Sequence, residues 1–192
     1  QNAYEKDQIH DGSFTAANGA AAAVEMMHSI EGLYLNDGNA VGFIKNYRGG
    51  KYSFAALLPN EGISIGDYIQ SLTGEKLLQT VRNAESAALY AVMPKFSYGY
   101  EIVMNDALKD LGMRAAFDGG MADFSNLGQS SLGKICIGEV LHKTFICVDE
   151  LGTKAGAVTK VEMKAEGAVV MPEKQVVLDR PFVYLILDNA TG

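Results

Sequence analysis

DELGTKAGAVTKVEMKAEGAVV, residues 149–170, is the most informative segment of this chain. From Thr153 to Glu166 the odd positions hold small or apolar residues, and most even positions hold charged ones. A two-residue period is typical of a strand with one dry face and one wet face. Alanine and glycine are poor strand formers, however, so this strand would have little bulk to hold it in a sheet. The pattern therefore indicates that the small residues serve a purpose other than ordinary sheet packing.

The composition describes a globular chain without the marks of a nucleic-acid or membrane protein. Its 192 residues are 48% hydrophobic, enough to bury a core in one domain. The formal net charge of -7 argues against nucleic acid or an anionic membrane as a partner. No apolar run approaches the roughly 18 residues that a membrane span needs. No basic and apolar leader opens the chain, so we expect that a leader was removed or that the chain begins within a longer protein.

Two cysteines, Cys136 and Cys147, lie in one strand-like run. Eleven positions apart, they would stand roughly 36 Å from each other in an extended strand. A disulfide between them is excluded at that distance, and we expect two free, buried thiols.

The order of the segments predicts an α+β fold built on mixed or antiparallel sheets. Strands are expected around the turns NDGN (36–39) and RGG (48–50), which are hairpin signals. Residues 64–86 are predicted to form two short helices, with Thr73 as the N-cap of the second. A further short helix begins after residue 104 with Asn105 or Asp106 as its cap. Residues 1–29 are interpreted as a polar, extended opening followed by a strand or bend, although the alanines at 20–23 also favour a helix. Residues 132–150 are interpreted as one long strand.

Candidate sites for chemistry are weak throughout the chain. The glycine pair in YRGGKYS (47–53) lacks the spacing of a phosphate loop and is interpreted as a hairpin turn. DGGMAD (118–123) lacks the alternating ligands and terminal glutamate of a calcium loop. The cluster of Lys45, Arg48 and Lys51 is interpreted as a solvated hairpin.

The three histidines are His10, His28 and His142, and their spacing fits no metal site. His142 sits within an apolar run, which favours a hydrogen-bonded core histidine. No nucleophile elbow and no Cys–His constellation can be identified. We therefore predict no catalytic residue, no metal and no cofactor, and a protein that is not an enzyme.

The segment VLHKTFICVDELGTKAGAVT, residues 140–159, resembles the hinge of the serpins, the serine-protease-inhibitor family. The positions that fit the family pattern in register are His142, Lys143, Asp149, Glu150, Gly152, Thr153, Ala155, Ala157 and Thr159. Other stretches that resemble family landmarks follow in family order: VEMMHSIEGLY, YRGGKYSFAALLP, LTGEKL, VMPKFS, LKDLGMRAAFDGGMADFSNL and DRPFVYLILDNATG. The resemblance covers essentially the whole chain.

The resemblance implies serpin-like mixed β-sheets with a few short helices. Serpins are roughly twice this long, and residues 1–192 correspond to the carboxyl-terminal half of a single serpin domain. The fold is then incomplete without the amino-terminal half: either this chain is a fragment of a longer one, or the other half is a separate partner chain. The reactive loop of the family maps to about 151–175.

The resemblance also implies a suicide-substrate inhibitor whose partner is a target serine protease. In serpins the protease cuts the reactive loop, which then inserts into the main sheet as a new strand. Residues that enter a closing gap must be small, because bulky side chains would overpack it. Thr153, Ala155, Ala157 and Thr159 form that inward set, and alternation through Glu166 spans roughly 46 Å at about 3.3 Å per residue. No cofactor is implied, and the location implied is extracellular or secreted.

Two further roles carry over by position from the family. Glu150 should pair with Lys95 and close the gap where insertion starts, although a bare surface pair would be worth only about 0–1 kcal/mol. His142 should lie where the sheet opens in its middle. Lys154 stands at a usually acidic position and Val158 is bulkier than usual, and both lie on the outward set. We therefore expect slower insertion rather than none.

The scissile bond has two candidate positions. Counting from Glu150 by the usual family spacing places it between Glu166 and Gly167, which would require a glutamate-preferring protease. Counting back from RPF places it between Val170 and Met171, where small aliphatic residues would suit an elastase-like protease. The hinge count favours Glu166–Gly167.

Two alternatives to inhibition stay open at this stage. The first is a non-inhibitory serpin, a carrier or chaperone whose loop does not insert. The second is an inactive serpin fragment, since strands that flank the insertion slot belong partly to the other half.

Overall fold

The structure, a computed structural model, describes residues 4–153 and 172–191. The expected α+β class is confirmed, with mixed sheets and a few short helices. The strands are β1 (Ile9–Thr15), β2 (Ala21–Asn36), β3 (Ala40–Asn46), β4 (Tyr52–Pro59), β5 (Glu85–Pro94), β6 (Phe96–Val103), β7 (Leu141–Asp149), β8 (Gly152–Thr153), β9 (Lys174–Val177) and β10 (Val183–Asp188). The helices are α1 (Ile65–Ser71), α2 (Gly74–Arg82) and α3 (Asn105–Asp110). The chain divides into two compact units, Gln1–Phe96 with Val148–Gly192, and Ser97–Cys147.

The first unit contains a mixed sheet whose strand order is β10-β4-β3-β2-β5-β9, with β1 also paired to β2. β9 runs parallel to β5, and the other pairs are antiparallel. β2 is the central strand, and its register on β5 shifts between Glu31 and Leu33. This bulge separates a first half of β2 that pairs with β1 from a second half that pairs with β3.

The strand interpretation of this region is confirmed by β2, and the alternative helix favoured by the alanines at 20–23 is wrong. Thr15 pairs with Ala21 and Phe14 with Ala22, so the alanines from position 21 continue an antiparallel ladder. Gly19 turns the chain with a φ of 82°, a conformation that glycine adopts easily. Hairpin pairing across β1 and β2 therefore outweighs the helix propensity of alanine.

The two short helices confirm the prediction for residues 64–86. Ser64 caps α1, because its Oγ accepts a hydrogen bond from the Asp67 amide at 3.1 Å. Thr73 caps α2 in the same way, accepting from the Lys76 amide at 3.1 Å. Each cap satisfies one of the backbone donors that a helix start leaves unpaired.

A buried tyrosine joins these helices to the sheet. Tyr68 is 0% exposed and donates from its hydroxyl to Asp37 Oδ2 at 3.0 Å. Lys76 Nζ lies 3.1 Å from the same oxygen. Burial alone would raise the pKa of Asp37, but hydrogen bonds from the Asn39 and Ala40 amides, Lys76 and Tyr68 outweigh it and lower that pKa. The core on this side consists of Leu35, Ala40, Ile44, Ala55, Leu57 and Tyr68.

The second unit contains β6, α3 and most of β7, with β6 and β7 as hydrogen-bonded neighbours. α3 begins at Asn105, but no side chain caps it, so the expected cap is wrong. Asn105 instead donates to the Gly138 carbonyl at 2.8 Å and accepts from the Val140 amide at 2.8 Å. The side-chain amide of Asn105 therefore fastens the end of the segment that precedes β7, and the single long strand predicted for 132–150 is wrong, because the strand begins only at Leu141.

Two burial predictions for this unit are wrong. His142 is exposed rather than a core histidine, and Cys136 is exposed while Cys147 is half-buried. No disulfide joins the two cysteines, both of which lie among the described residues, as expected. Most of β7 is exposed, since nothing among the described residues covers it. None of the described helices is long and apolar enough to cross a membrane.

Candidate functional site

The candidate site begins where β7 ends and the chain turns into β8. Val148 pairs with Thr153 and Asp149 with Gly152, which makes a tight antiparallel turn. The Asp149 carboxylate accepts from the Leu151 amide at 2.9 Å, and Gly152 has a φ of 112°. Residues with a Cβ rarely adopt that angle, so glycine is required at position 152 for this turn. The turn presents Glu150 at its first corner.

The Glu150 carboxylate is held by Lys95, which follows the end of β5. Lys95 Nζ lies 2.9 Å from Glu150 Oε2 and 3.2 Å from Glu25 Oε2. The hydrogen bond to Glu150, helped by the one to Glu25, raises the pKa of Lys95, which therefore stays charged. The Lys95 amide also donates to the Glu25 carbonyl at 2.8 Å. One lysine thus ties the start of the loop to β2.

Aromatic packing fixes the backbone around Lys95. The next residue, Phe96, lies 6.0 Å from the Phe182 ring and 5.6 Å from the Tyr184 ring, measured between centroids. Tyr184 in turn stacks on Phe54 of β4 at 5.9 Å. Such ring pairs add about 0.5–1.5 kcal/mol beyond their buried area. The cation is therefore attached to a packed part of the first unit.

The Glu150 main chain has a second anchor, which the sequence did not reveal. The Tyr4 amide donates to the Glu150 carbonyl at 2.8 Å. The Tyr4 ring lies under Lys45 Nζ at 4.5 Å from its centroid, within reach of a cation–π interaction. Lys45 is 8% exposed and paired with Glu31, so its interpretation as part of a solvated hairpin is wrong. Arg48 and Lys51 are exposed, as a hairpin requires.

The structure brings together three of the residues that the sequence singled out: Lys95, Glu150 and Gly152. His142 lies on β7 in the second unit. Thr153 ends β8, and only its backbone is described. The remaining hinge and reactive-bond positions lie outside the described residues: Ala155, Ala157, Thr159, Glu166, Gly167, Val170 and Met171.

Within residues 4–153 and 172–191, no group of three or more histidine, cysteine or carboxylate side chains could hold a metal ion. Two histidines with no metal spacing in sequence do meet in the sheet. The rings of His10 and His28 are 4.8 Å apart, edge to face, and His28 Nδ1 is hydrogen-bonded to the Tyr90 hydroxyl. Burial, and then the charge of His10, lowers the pKa of His28.

This shift predicts a pH dependence of stability. The folded pKa of His28 lies below its ordinary 6.5, so the folded state disfavours the charged ring. The free energy of unfolding should be constant above pH 6.5 with respect to this group, and should fall as the pH drops from 6.5 through the lowered value. Urea unfolding at a series of pH values should show this slope in the wild type and a smaller one in His28→Gln. Equal slopes in the two proteins would contradict the assignment.

Comparison with known proteins identifies the family to which this chain is similar. The family model described as Serpin (serine protease inhibitor) matches residues 1–192. Serpin B10 of Rattus norvegicus is 30% identical over 172 residues, which cover 88% of this chain and 42% of that protein. Leukocyte elastase inhibitor A of the same species is 28% identical over 196 residues, covering 97% and 51%. The crystal structure of the thermophilic serpin tengpin in the native state is 49% identical, with a TM-score of 0.86, covering 99% of this chain and 49% of that one. The chain thus spans about half the length of the relatives it matches.

Proposed function

Because this chain belongs to the serpin family, we propose that it forms the carboxyl-terminal half of a suicide-substrate inhibitor of serine proteases. The protease serine attacks the reactive loop and forms an acyl-enzyme, as it does with a substrate. The cleaved loop then inserts into the main sheet and carries the attached protease with it. Distortion of the protease stops hydrolysis of the acyl bond. In this mechanism the chain contributes no catalytic group and supplies the loop that the protease cleaves.

The observation that carries this proposal is the attachment of Glu150 at the start of the loop. Its carboxylate pairs with Lys95 at 2.9 Å, and Lys95 also reaches Glu25 at 3.2 Å. These contacts hold the turn at Asp149–Gly152 closed, at the point where an inserting strand would first separate its neighbours. The active form of such an inhibitor is metastable, so it needs contacts that delay insertion of the loop and break when insertion begins.

The residues that follow the turn support the same mechanism. Thr153, Ala155, Ala157 and Thr159 are small and lie at alternate positions. Lys154 is charged between the first two, and the same alternation continues beyond Thr159 with charged residues at the even positions Lys160, Glu162, Lys164 and Glu166. A strand with this pattern can bury one face in a sheet without overpacking it. A relative named leukocyte elastase inhibitor A matches 97% of this chain, so an elastase-like target stays open beside the glutamate-preferring protease that cleavage after Glu166 would require.

An amino-terminal half is the second partner in this proposal. Tyr98, Tyr100 and Ile102 alternate along β6, so they share one face of the strand, and they are 47%, 52% and 39% exposed. Phe145 on β7 is 73% exposed. A contiguous set of exposed apolar side chains marks an interaction surface. We propose that the other half of the serpin fold covers it, and that this half alone neither inhibits proteases nor resists aggregation.

A thermal measurement distinguishes the inhibitor from a carrier or chaperone. The loop of the full-length protein is cut with a protease that does not remain bound, and unfolding is followed by calorimetry before and after the cut. Insertion adds a strand to the sheet, so the Tm of the cleaved protein should rise by well over about 10 °C, which is several times the shift of about 2–4 °C that 1 kcal/mol gives even in a shorter chain of about 150–250 residues. A Tm that stays within a few degrees would favour the carrier or chaperone.

The position of the scissile bond is decided by the peptide that the protease releases. We propose cleavage between Glu166 and Gly167, so the carboxyl-terminal fragment should begin at Gly167. Its intact mass, measured after incubation with the target protease, gives the first residue directly. A fragment that begins at Met171 would move the bond to Val170–Met171 and favour an elastase-like protease.

We also propose that the full-length protein acts outside the cell. The support is the family's action on serine proteases, many of which are themselves extracellular. Fractionation of the source cells tests this directly: the protein should be recovered from the medium, and recovery from the cytosol alone would contradict it.

A further inference from the structure

Residues 4–8 form a short segment that crosses the first unit beside the turn at Glu150. The Tyr4 amide of this segment donates a hydrogen bond to the Glu150 carbonyl in the turn, at 2.8 Å. The segment continues into a single 3-10 turn, Lys6–Gln8, which Glu5 and Gln8 close with mutual side-chain and backbone contacts. Glu150 is therefore held twice: by its carboxylate through Lys95 and by its carbonyl through Tyr4.

A polar cluster on β2 and β3 determines where Tyr4 lies. We define it as Ser29, Glu31 and Lys45. Lys45 Nζ donates to Glu31 and, at 3.3 Å, to Ser29 Oγ. Ser29 Oγ donates its single proton to Glu31 at 2.6 Å, which leaves its lone pairs to accept from Lys45 and from the Tyr4 hydroxyl at 3.4 Å. The Tyr4 ring meanwhile covers Lys45 Nζ at 4.5 Å.

The cluster is largely shielded from solvent. The side chains of Lys45 and Glu31 are 10% and 12% exposed. Removal of either charge alone would leave the other poorly paired in a dry environment, which is costly, so the two charges keep each other in place. Glu31 also stands at the β2 bulge, a feature that re-aims a side chain relative to a regular strand. Two strands of the central sheet thus present a fixed ammonium to the Tyr4 ring.

We propose that Lys45 and Glu31 are positioning residues for the hinge. They fix the Tyr4 ring, and the ring fixes the Tyr4 amide against the Glu150 carbonyl, so that the start of the loop resists premature insertion. This inference rests on the proposed function, because it describes how release of the same hinge is regulated. It adds a main-chain latch, the Tyr4–Glu150 hydrogen bond, to the side-chain contact between Lys95 and Glu150.

The latch is tested by amide exchange at Tyr4 in full-length protein labelled with 15N-tyrosine. Lys45→Met combined with Glu31→Leu removes both charges, and such replacements of a buried pair are often neutral for stability. This double variant should unfold at nearly the wild-type urea concentration, yet its Tyr4 amide should exchange about fivefold faster or more, as expected when a net hydrogen-bond contribution is lost. The single variant Lys45→Arg keeps a cation over the ring, so its Tyr4 amide should exchange at the wild-type rate.

The control for loss of positive charge is Lys51→Met. Lys51 also lies over a tyrosine ring, that of Tyr52 at 5.0 Å, but it is exposed and is not a member of the cluster. Its variant should leave Tyr4 exchange unchanged. Wild-type exchange at Tyr4 in the Lys45→Met, Glu31→Leu protein would overturn the proposal.

A second experiment measures whether loss of the latch accelerates loop insertion. The uncleaved full-length protein is incubated at 37 °C, and loss of loop accessibility to a probe protease gives the rate of spontaneous insertion. The double variant should convert about fivefold faster, the same factor as in exchange. Faster exchange with an unchanged conversion rate would overturn the regulatory role. If the wild-type protein traps no protease at all, the proposed function fails, while the exchange data still decide whether Lys45 and Glu31 position Tyr4.

Discussion

Ala157→Arg in the full-length protein should abolish trapping of the protease while leaving cleavage of the loop intact. The sequence alternation predicts that position 157 belongs to the inward set, so insertion would bury a guanidinium without a partner. The effective cost of burying an ion is several kcal/mol, and a barrier raised by about 4 kcal/mol slows insertion about a thousandfold. Hydrolysis of the acyl-enzyme is then faster than insertion, so the variant is cleaved as a substrate and the protease is released. The measurement is the number of inhibitor molecules consumed per protease inhibited, together with the covalent band on a denaturing gel.

Val158→Arg is the matched control, since it places the same side chain one residue further along the loop. Position 158 belongs to the outward set, where a charge stays in water during insertion. This variant should still trap protease with close to the wild-type stoichiometry. Equal behaviour of the two arginine variants would contradict the alternation on which the inhibitory mechanism is based.

Glu150→Lys should release the hinge and shorten the life of the active form. The change removes the contact between Glu150 and Lys95 and sets two ammonium groups against each other. Loss of the attraction and gain of a repulsion of similar size together amount to about 2 kcal/mol for a partly exposed pair. Spontaneous loop insertion should therefore accelerate about 30-fold. Incubation at 37 °C followed by titration of the remaining inhibitory activity gives this rate.

Glu101→Lys is the control for this charge reversal. Glu101 pairs with Lys143 at 2.7 Å in the second unit, and both side chains are more than half exposed. The same substitution there changes the net charge by the same amount but lies on an ordinary surface pair. Its conversion rate should match that of the wild type. If Glu101→Lys accelerates insertion as much as Glu150→Lys does, then the contact of Glu150 with Lys95 has no special role.

The parts of the fold that could be predicted from the sequence are those set by local chemistry. Thr73 caps α2 because a hydroxyl just before a helical run can accept a main-chain proton, and the sequence alone indicates this. The turns at 36–39 and 48–50 likewise follow from their glycines. The contact of Lys95 with Glu150 was suggested only by family resemblance, since two residues 55 positions apart give no local signal.

The errors come from long-range pairing, which overrides local preference. The alanines at 20–23 enter a ladder with β1, and the side chain of Asn105 joins a distant segment rather than capping its own helix. Lys45 was expected in solvent because a lysine near a hairpin usually is. The strand that contains Lys45 has the nearly continuous apolar sequence AVGFI before it, and the structure buries residues on both of its faces. Such a run is typical of a strand covered on both sides, so it could have indicated that Lys45 is buried and paired.

The most direct test of the account is a search for a covalent complex. The full-length protein is mixed with an elastase-like and, separately, with a glutamate-preferring serine protease, and the products are boiled in detergent and separated by size. One of the two proteases should give a band at the summed mass of the protease and the cleaved inhibitor, and it should disappear when the protease serine is blocked beforehand. Complete cleavage of the loop with free, fully active protease and no such band would contradict the inhibitory mechanism.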